Sequence, residues 1–380
     1  MALHMINPQI LGNFDPGQQA RVKAGQKLTR IWQGEAQQIP ANMRGNPRGF
    51  ARGLAEGLPG LRRLRMAFNI FSFNADGSFH PEMEGFLDEA CKAGFEIHWV
   101  LADGPSQESG TGLEAHWASS YSAMETQQDW LNLMPVLRQR HAAAWDALLG
   151  WLDMRPDIRT CSFEAINEAA SYDRAADCFP RLRSRFVEEY VEAVLAIHDR
   201  IAARWADRDF YVGGWAYSAD FHTLADVQLP SGGTALTRFR DRIGERLVWS
   251  AHFYPQWGPN VGTVEDYEAV LDRRFAAILG DRVVLTEFNV QNGRVNDPRV
   301  ADDKDRAHFM IARCGRWFHR HDIGIGWWAA ANYAAGFLIM VRGNGGLRQR
   351  HQNTFGAAYG LYAYGIQTGC SPAPTAAKAP

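Results

Sequence analysis

The chain has 380 residues, 46% of them hydrophobic and 12% aromatic, enough to bury a large core in one big domain or two ordinary ones. Its 40 basic and 42 acidic residues leave a net charge of −2, which excludes a general electrostatic attraction to nucleic acid or to an anionic membrane. Five scattered cysteines (Cys91, Cys161, Cys178, Cys314, Cys370), with no CxxC or Cys/His cluster at metal spacing, point to no disulfide framework and no structural zinc site, and leave room for a single disulfide at most.

The arginine-rich stretches at 62–65 and 181–185 are short, lie beside apolar segments and read mainly as solvated faces. No apolar run is long enough to span a bilayer, and no secretory signal opens the chain. Met1-Ala2-Leu3-His4-Met5 resembles a cloning remnant. If it replaces a removed leader, the protein is secreted or periplasmic; otherwise it is cytoplasmic.

Residues 1–63 form an N-terminal segment rich in Gly, Pro and Gln that holds the first strand, at Ile10–Phe14 or at Leu28–Trp32. From Leu64 the pattern is regular. Leu64–Phe73 reads as a strand, Pro81–Ala93 as a helix stopped by Gly94, and Phe95–Ala102 as the next strand. A long turn-rich loop reaches Ser122, and helical periodicity resumes over Pro135–Leu152. Strands then alternate with helices: Ile158–Glu168, helix Pro180–Trp205, Phe210–Trp215, Leu247–Tyr254, helix Val264–Leu279, Val283–Phe288, helix Asp303–His321 and Ile323–Ala329. Seven visible strands and one inferred strand predict a single (β/α)8 barrel with long loops over residues 1–368. No glycine-rich phosphate loop follows any strand, which argues against a nucleotide-binding fold, and residues 369–380 read as a disordered tail.

In such a barrel the chemistry sits where strands end. The ends here are Phe163-Glu164-Ala165-Ile166-Asn167-Glu168, Ser250-Ala251-His252-Phe253-Tyr254-Pro255, Leu285-Thr286-Glu287-Phe288-Asn289 and Gly324-Ile325-Gly326-Trp327-Trp328. Two carboxylates facing across a barrel mouth suit acetal cleavage: one stays protonated for the leaving oxygen, and the other stays ionised to attack the anomeric carbon. Tryptophans offer flat apolar faces for sugar rings.

The Asn-Glu strand end, together with His-Phe-Tyr-Pro, Leu-Thr-Glu-Phe and Leu64-Arg65-Met66, resembles the corresponding segments of glycoside hydrolase family 5 and its clan of (β/α)8 retaining glycosidases. The likeness spans about residues 64–331. It implies Glu168 as general acid/base, Glu287 as nucleophile and Asn167 as partner of the sugar 2-hydroxyl. It also implies Tyr254 as a donor that keeps Glu287 ionised, and His252 beside the acid/base. Arg65 would pair with a buried carboxylate, Glu287 or Glu164, and Trp327 or Trp328 would floor the sugar subsite. Two departures mark a divergent subfamily: Ala169 stands where proline is usual, and Asp103-Gly104 lacks the usual histidine, for which His116 is a distant substitute.

Trp117, Trp215 and Trp257 are further candidate subsite walls, Asp220 and His222 are candidate contacts on a loop, and Glu164 is the structural carboxylate. The expected substrate is a β-linked glycan, either a β-glucan or a bacterial exopolysaccharide, with no cofactor, metal, nucleic acid or membrane partner. The competing readings are an inactive glycan-binding barrel, a transglycosylase of the same clan, and a metal-dependent hydrolase or aldolase. The last class lacks both an HxH set and a strand-end lysine.

Overall fold

The computed structural model describes residues 4–8, 47–57, 61–68, 72–74, 76–79, 81–102, 127–168, 170–255, 266–288, 314–328, 340–343 and 346–349. Eight parallel strands close into a barrel in chain order: β1 (Met5–Asn7), β2 (Arg63–Phe68), β3 (Glu96–Leu101), β4 (Thr160–Glu164), β5 (Asp209–Gly213), β6 (Leu247–Phe253), β7 (Val283–Phe288) and β8 (Gly324–Trp328). Closure runs through Met5↔Gly326, Ile6↔Trp327 and Asn7↔Trp328. The expected (β/α)8 architecture is what forms.

The first strand corrects both expected positions, which lie outside the described residues. It is Met5–Asn7, only three residues long and too short to show a period. His4 and Met5 are both buried, and Met5 is part of the barrel wall.

The longer described helices are α1 (Pro47–Gly57), α2 (Pro81–Lys92), α3 (Gln127–Met154), α4 (Ala170–Cys178), α5 (Arg183–Ala202), α6 (Ala235–Ile243) and α7 (Tyr267–Phe275), with residues 314–320 helical before β8. Gly94 has φ +92°, the left-handed stop that ends α2. Helix α3 begins two turns before the expected start, with Pro135 inside it. Proline there removes one intrahelical donor, but the buried Trp130, Met134 and Leu137 hold the segment to the core. The expected single helix from Pro180 is shorter and is preceded by α4. An antiparallel pair, β9 (Met340–Gly343) with β10 (Gly346–Gln349), follows the barrel and was not expected.

Strand parity divides the interior. Along β6, Leu247, Trp249, Ala251 and Phe253 join the large core cluster that includes Phe239, Tyr267 and Phe275 from the surrounding helices. Val248 joins Met5, Tyr211 and Val284 in a small separate cluster. Ser250 and His252, of the same parity, belong to a polar cluster that extends to the C-terminal ends of the strands.

Candidate active site

At the centre of that cluster is Arg65 on β2, only 3% exposed. Its guanidinium has five N–H groups, and five bonds use them. Nε and Nη2 donate to the two oxygens of Glu164 at 2.7 and 2.8 Å. Nη2 also donates to Asn167 Oδ1 at 2.7 Å, while Nη1 donates to Asn7 Oδ1 at 2.9 Å and to Glu287 Oε1 at 2.8 Å. One side chain therefore links β1, β2, β4 and β7. It pairs with both carboxylates offered as alternatives.

Glu164 is fully buried and also accepts from Ser250 Oγ at 2.7 Å and from His98 Nε2 at 2.9 Å. Burial alone would raise its pKa. The Arg65 charge and the His98 and Arg65 hydrogen bonds outweigh that and hold it far below the ordinary carboxylate range. An ionised Glu164 only accepts, so the His98 proton sits on Nε2 and Nδ1 accepts from Ser162 Oγ at 2.7 Å. Burial lowers the pKa of His98, consistent with a neutral ring. Glu164 is the structural anchor expected of it.

Above this layer lie the residues of the mouth. Past the end of β4 the chain turns inward at Glu168, whose φ of 46° is unusual for a residue with a side chain. Asn167 N donates to Leu101 O at 2.7 Å and pins the turn to β3. The Glu168 side chain keeps 25% exposure, and its Oε1 lies 2.8 Å from His252 Nδ1. Glu287 accepts from Tyr254 Oη at 2.7 Å on Oε2 and from Arg65 on Oε1. His252 Nδ1 is 3.6 Å from Glu287 Oε2, so the imidazole stands between the two carboxylates. One ligand atom from each of Glu168, His252 and Glu287 lies within 4.8 Å of the others.

The protonation balance follows from these neighbours. Burial raises the pKa of Glu168, and the Glu287 charge adds to the rise against the opposing pull of His252. His252 is also raised: burial opposes its charge, but Glu287 and the hydrogen bond to Glu168 outweigh it. Burial first, and then the Glu287 charge, push Tyr254 well above its usual value, so it remains a donor.

Among the described residues, this trio is also the one group of potential metal-binding side chains. Its atoms already serve one another, and the Arg65 guanidinium sits 2.8 Å from Glu287. A hydrogen-bonded cluster describes it better than a cation site.

Parity separates the two tryptophans. Trp328 meets Tyr254 edge-on at 5.9 Å and belongs to the mouth. Of the two alternatives, Trp327 faces away and packs on Phe288 at 5.3 Å in the outer core. Trp215 is likewise core, against Tyr190 at 5.9 Å. Asp220 accepts from the backbone N–H groups of His222 and Thr223 and so shapes the local chain, whereas His222 bonds the Arg273 carbonyl at 2.6 Å and ties this segment to α7. Asp103, His116, Trp117 and Trp257 lie outside the described residues. Cys91, Cys161 and Cys178 are free thiols, and no described helix is long and apolar enough to cross a membrane.

Sequence reading missed Asn7, His98, Ser162, Ser250 and Thr286 as parts of the cluster. The signal for His98, Ser162 and Ser250 was a polar residue at alternate positions of an otherwise apolar strand. Asn7 had no comparable signal, because its strand is so short.

No protein-family model and no curated protein matches the chain. Among solved structures, it is similar to a broad-specificity endoglucanase from Ruminococcus champanellensis with bound cellotriose, at a TM-score of 0.51 and 12% identity over 90% of each chain. An endoglucanase of Pseudomonas stutzeri gives 0.49 and 12% over 86% of this chain and 87% of that one. A broad-specificity endoglucanase from Clostridium longisporum gives 0.48 and 12% over 89% of each. At this identity the likeness is one of fold alone, a closed barrel of eight parallel strands with helices outside.

Proposed function

We propose that the protein is a retaining glycoside hydrolase that cleaves a β-linked glycan by double displacement. The observation that carries this reading is the approach of Glu168 and Glu287, whose facing atoms lie within 4.8 Å across the mouth. A separation of about 5–5.5 Å between carboxyl groups suits attack by one of them, whereas inversion needs about 6.5–9.5 Å to admit a water.

In the first step a Glu287 oxygen bonds to the anomeric carbon as the glycosidic C–O bond breaks. The leaving oxygen takes the proton from Glu168. In the second, Glu168 as carboxylate removes a proton from water, the water oxygen bonds to the anomeric carbon, and Glu287 leaves. The raised pKa of Glu168 supports the acid role at neutral pH. Both oxygens of Glu287 are fixed by donors, which orients the nucleophile. Arg65 holds the carbonyl end of the Asn167 amide, leaving its NH2 for a sugar hydroxyl. Trp328 provides the apolar face for the reacting ring.

A β-glucan leads as substrate, on the motif resemblance and on the neighbouring fold that binds cellotriose. The test is a panel of β-glucans and bacterial exopolysaccharides with product sizing, run on the native protein and on Glu287→Gln. Release of shorter glycans by the native chain alone is expected; release by neither, with glycan binding retained, would replace hydrolysis with simple binding.

A further inference from the structure

Strand β7 carries one residue more than either neighbour where it holds Glu287. On the β6 side, Ala251 pairs with Leu285 and His252 with Glu287, so one step along β6 spans two along β7. On the β8 side, Leu285 pairs with Ile325 and Phe288 with Trp327, so three steps meet two. This is a β-bulge at Thr286–Glu287. Regular alternation would turn Thr286 into the barrel and Glu287 out toward the helices. Instead both face inward. Thr286 Oγ1 lies 2.5 Å from Ser250 Oγ, and Glu287 reaches Arg65 and Tyr254.

Two residues of other strands make room for the bulge and tie it down. At Gly326 on β8 an added Cβ would fall inside the Thr286 carbonyl oxygen, 2.8 Å from its carbon and 2.9 Å from Leu285 O. Those are backbone atoms, so no side-chain rotation relieves the overlap. Asn7 on β1, 2% exposed, donates through Nδ2 to Thr286 O at 2.9 Å and to Trp327 O at 3.1 Å. Its Oδ1 accepts from the same Arg65 nitrogen that holds Glu287. One amide thus joins the bulge, β8 and the cation beside the nucleophile.

We infer that Gly326 and Asn7 are positioning residues: they hold the β7 bulge that turns Glu287 from the outer core to face Glu168. The inference rests on the reading of Glu168 and Glu287 as the reacting pair. Neither residue touches the reacting atoms. They act through the backbone of Thr286 and through Arg65.

The test reads the direction of Glu287 without needing turnover. His252 stands among Glu168, Glu287, Arg65 and Tyr254, so its NMR titration senses whether the Glu287 carboxylate is in place. Glu287→Gln sets the reference drop in the His252 midpoint. Gly326→Ala, folded by circular dichroism, is expected to reproduce most of that drop and to lower kcat about 10²-fold with KM little changed. If Gly326→Ala does not fold, Asn7→Ser, which removes the tie and adds no bulk, gives the same readout. An unchanged His252 midpoint in a folded variant overturns the inference. If the midpoint falls but the native protein cleaves no glycan, the positioning stands and the hydrolase reading fails. If the midpoint holds while Glu287→Gln abolishes cleavage, the opposite follows.

Discussion

Replacing Arg65 by methionine removes the one cation that two buried carboxylates share. Glu164 is fully buried and the Glu287 side chain is 7% exposed, so neither can regain water. Breaking a buried ion pair by deleting one partner costs about 3–5 kcal/mol. Stranding Asn7 Oδ1 and Asn167 Oδ1 adds roughly 1 kcal/mol each. Glu164 keeps His98 and Ser250, which offsets part of this, so the expected loss is about 4–5 kcal/mol at neutral pH. That is a large share of the roughly 5–15 kcal/mol typical of a folded protein. Urea unfolding of the native protein and Arg65→Met, repeated across pH, measures it. Glu164 has its folded pKa depressed from 4.5, so its contribution is present above that value and lost as pH falls. In Arg65→Met this contribution is already missing, and the gap between the proteins should narrow on acidification. Arg65→Lys should fall between, because it restores charge but not the five-donor fork. A loss below about 1 kcal/mol at pH 7, or one independent of pH, would refute the reasoning.

Glu168→Gln should lower kcat/KM by about 10³-fold or more while raising the thermal midpoint. The folded pKa of Glu168 is raised, so the fold favours its neutral form and loses stability as pH rises through that value; glutamine removes the cost, and an unchanged or lower midpoint would contradict it. The pH profile of kcat/KM should fall on its alkaline side as the Glu168–His252 pair gives up its proton, and a profile flat there would remove Glu168 as the acid. Trp327→Ala should act on stability, costing about 3–5 kcal/mol in urea unfolding, whereas Trp328→Ala should act chiefly on kcat/KM. The reverse pattern would mean that the parity of β8 is misread.

The barrel and most of its mouth were legible in the sequence for a physical reason. The faces of strands β2 to β8 that meet the helices are apolar, so polar residues at or just past the C-terminal ends of these strands stand out, as Glu168, His252 and Glu287 do. Asn7 was hidden because a three-residue strand shows no period, and its partners lie 279 and 320 residues away. Trp327 and Trp328 could not be told apart because each follows apolar neighbours, and only the pairing of β1 with β8 fixes which one faces in. The bulge in β7 was hidden for a related reason. Leu-Thr-Glu-Phe reads as regular alternation, and the extra residue appears only when β7 is aligned with both neighbours.

Covalent trapping addresses the central claim most directly. A 2-deoxy-2-fluoro glycoside with an activated leaving group, built on a sugar the protein cleaves, slows release of the glycosyl-enzyme. Mass spectrometry of the digested protein should then find one glycosyl adduct, on the peptide carrying Glu287, absent from Glu287→Gln. Cleavage of the glycan with inverted anomeric configuration, and no adduct on Glu287, would contradict it.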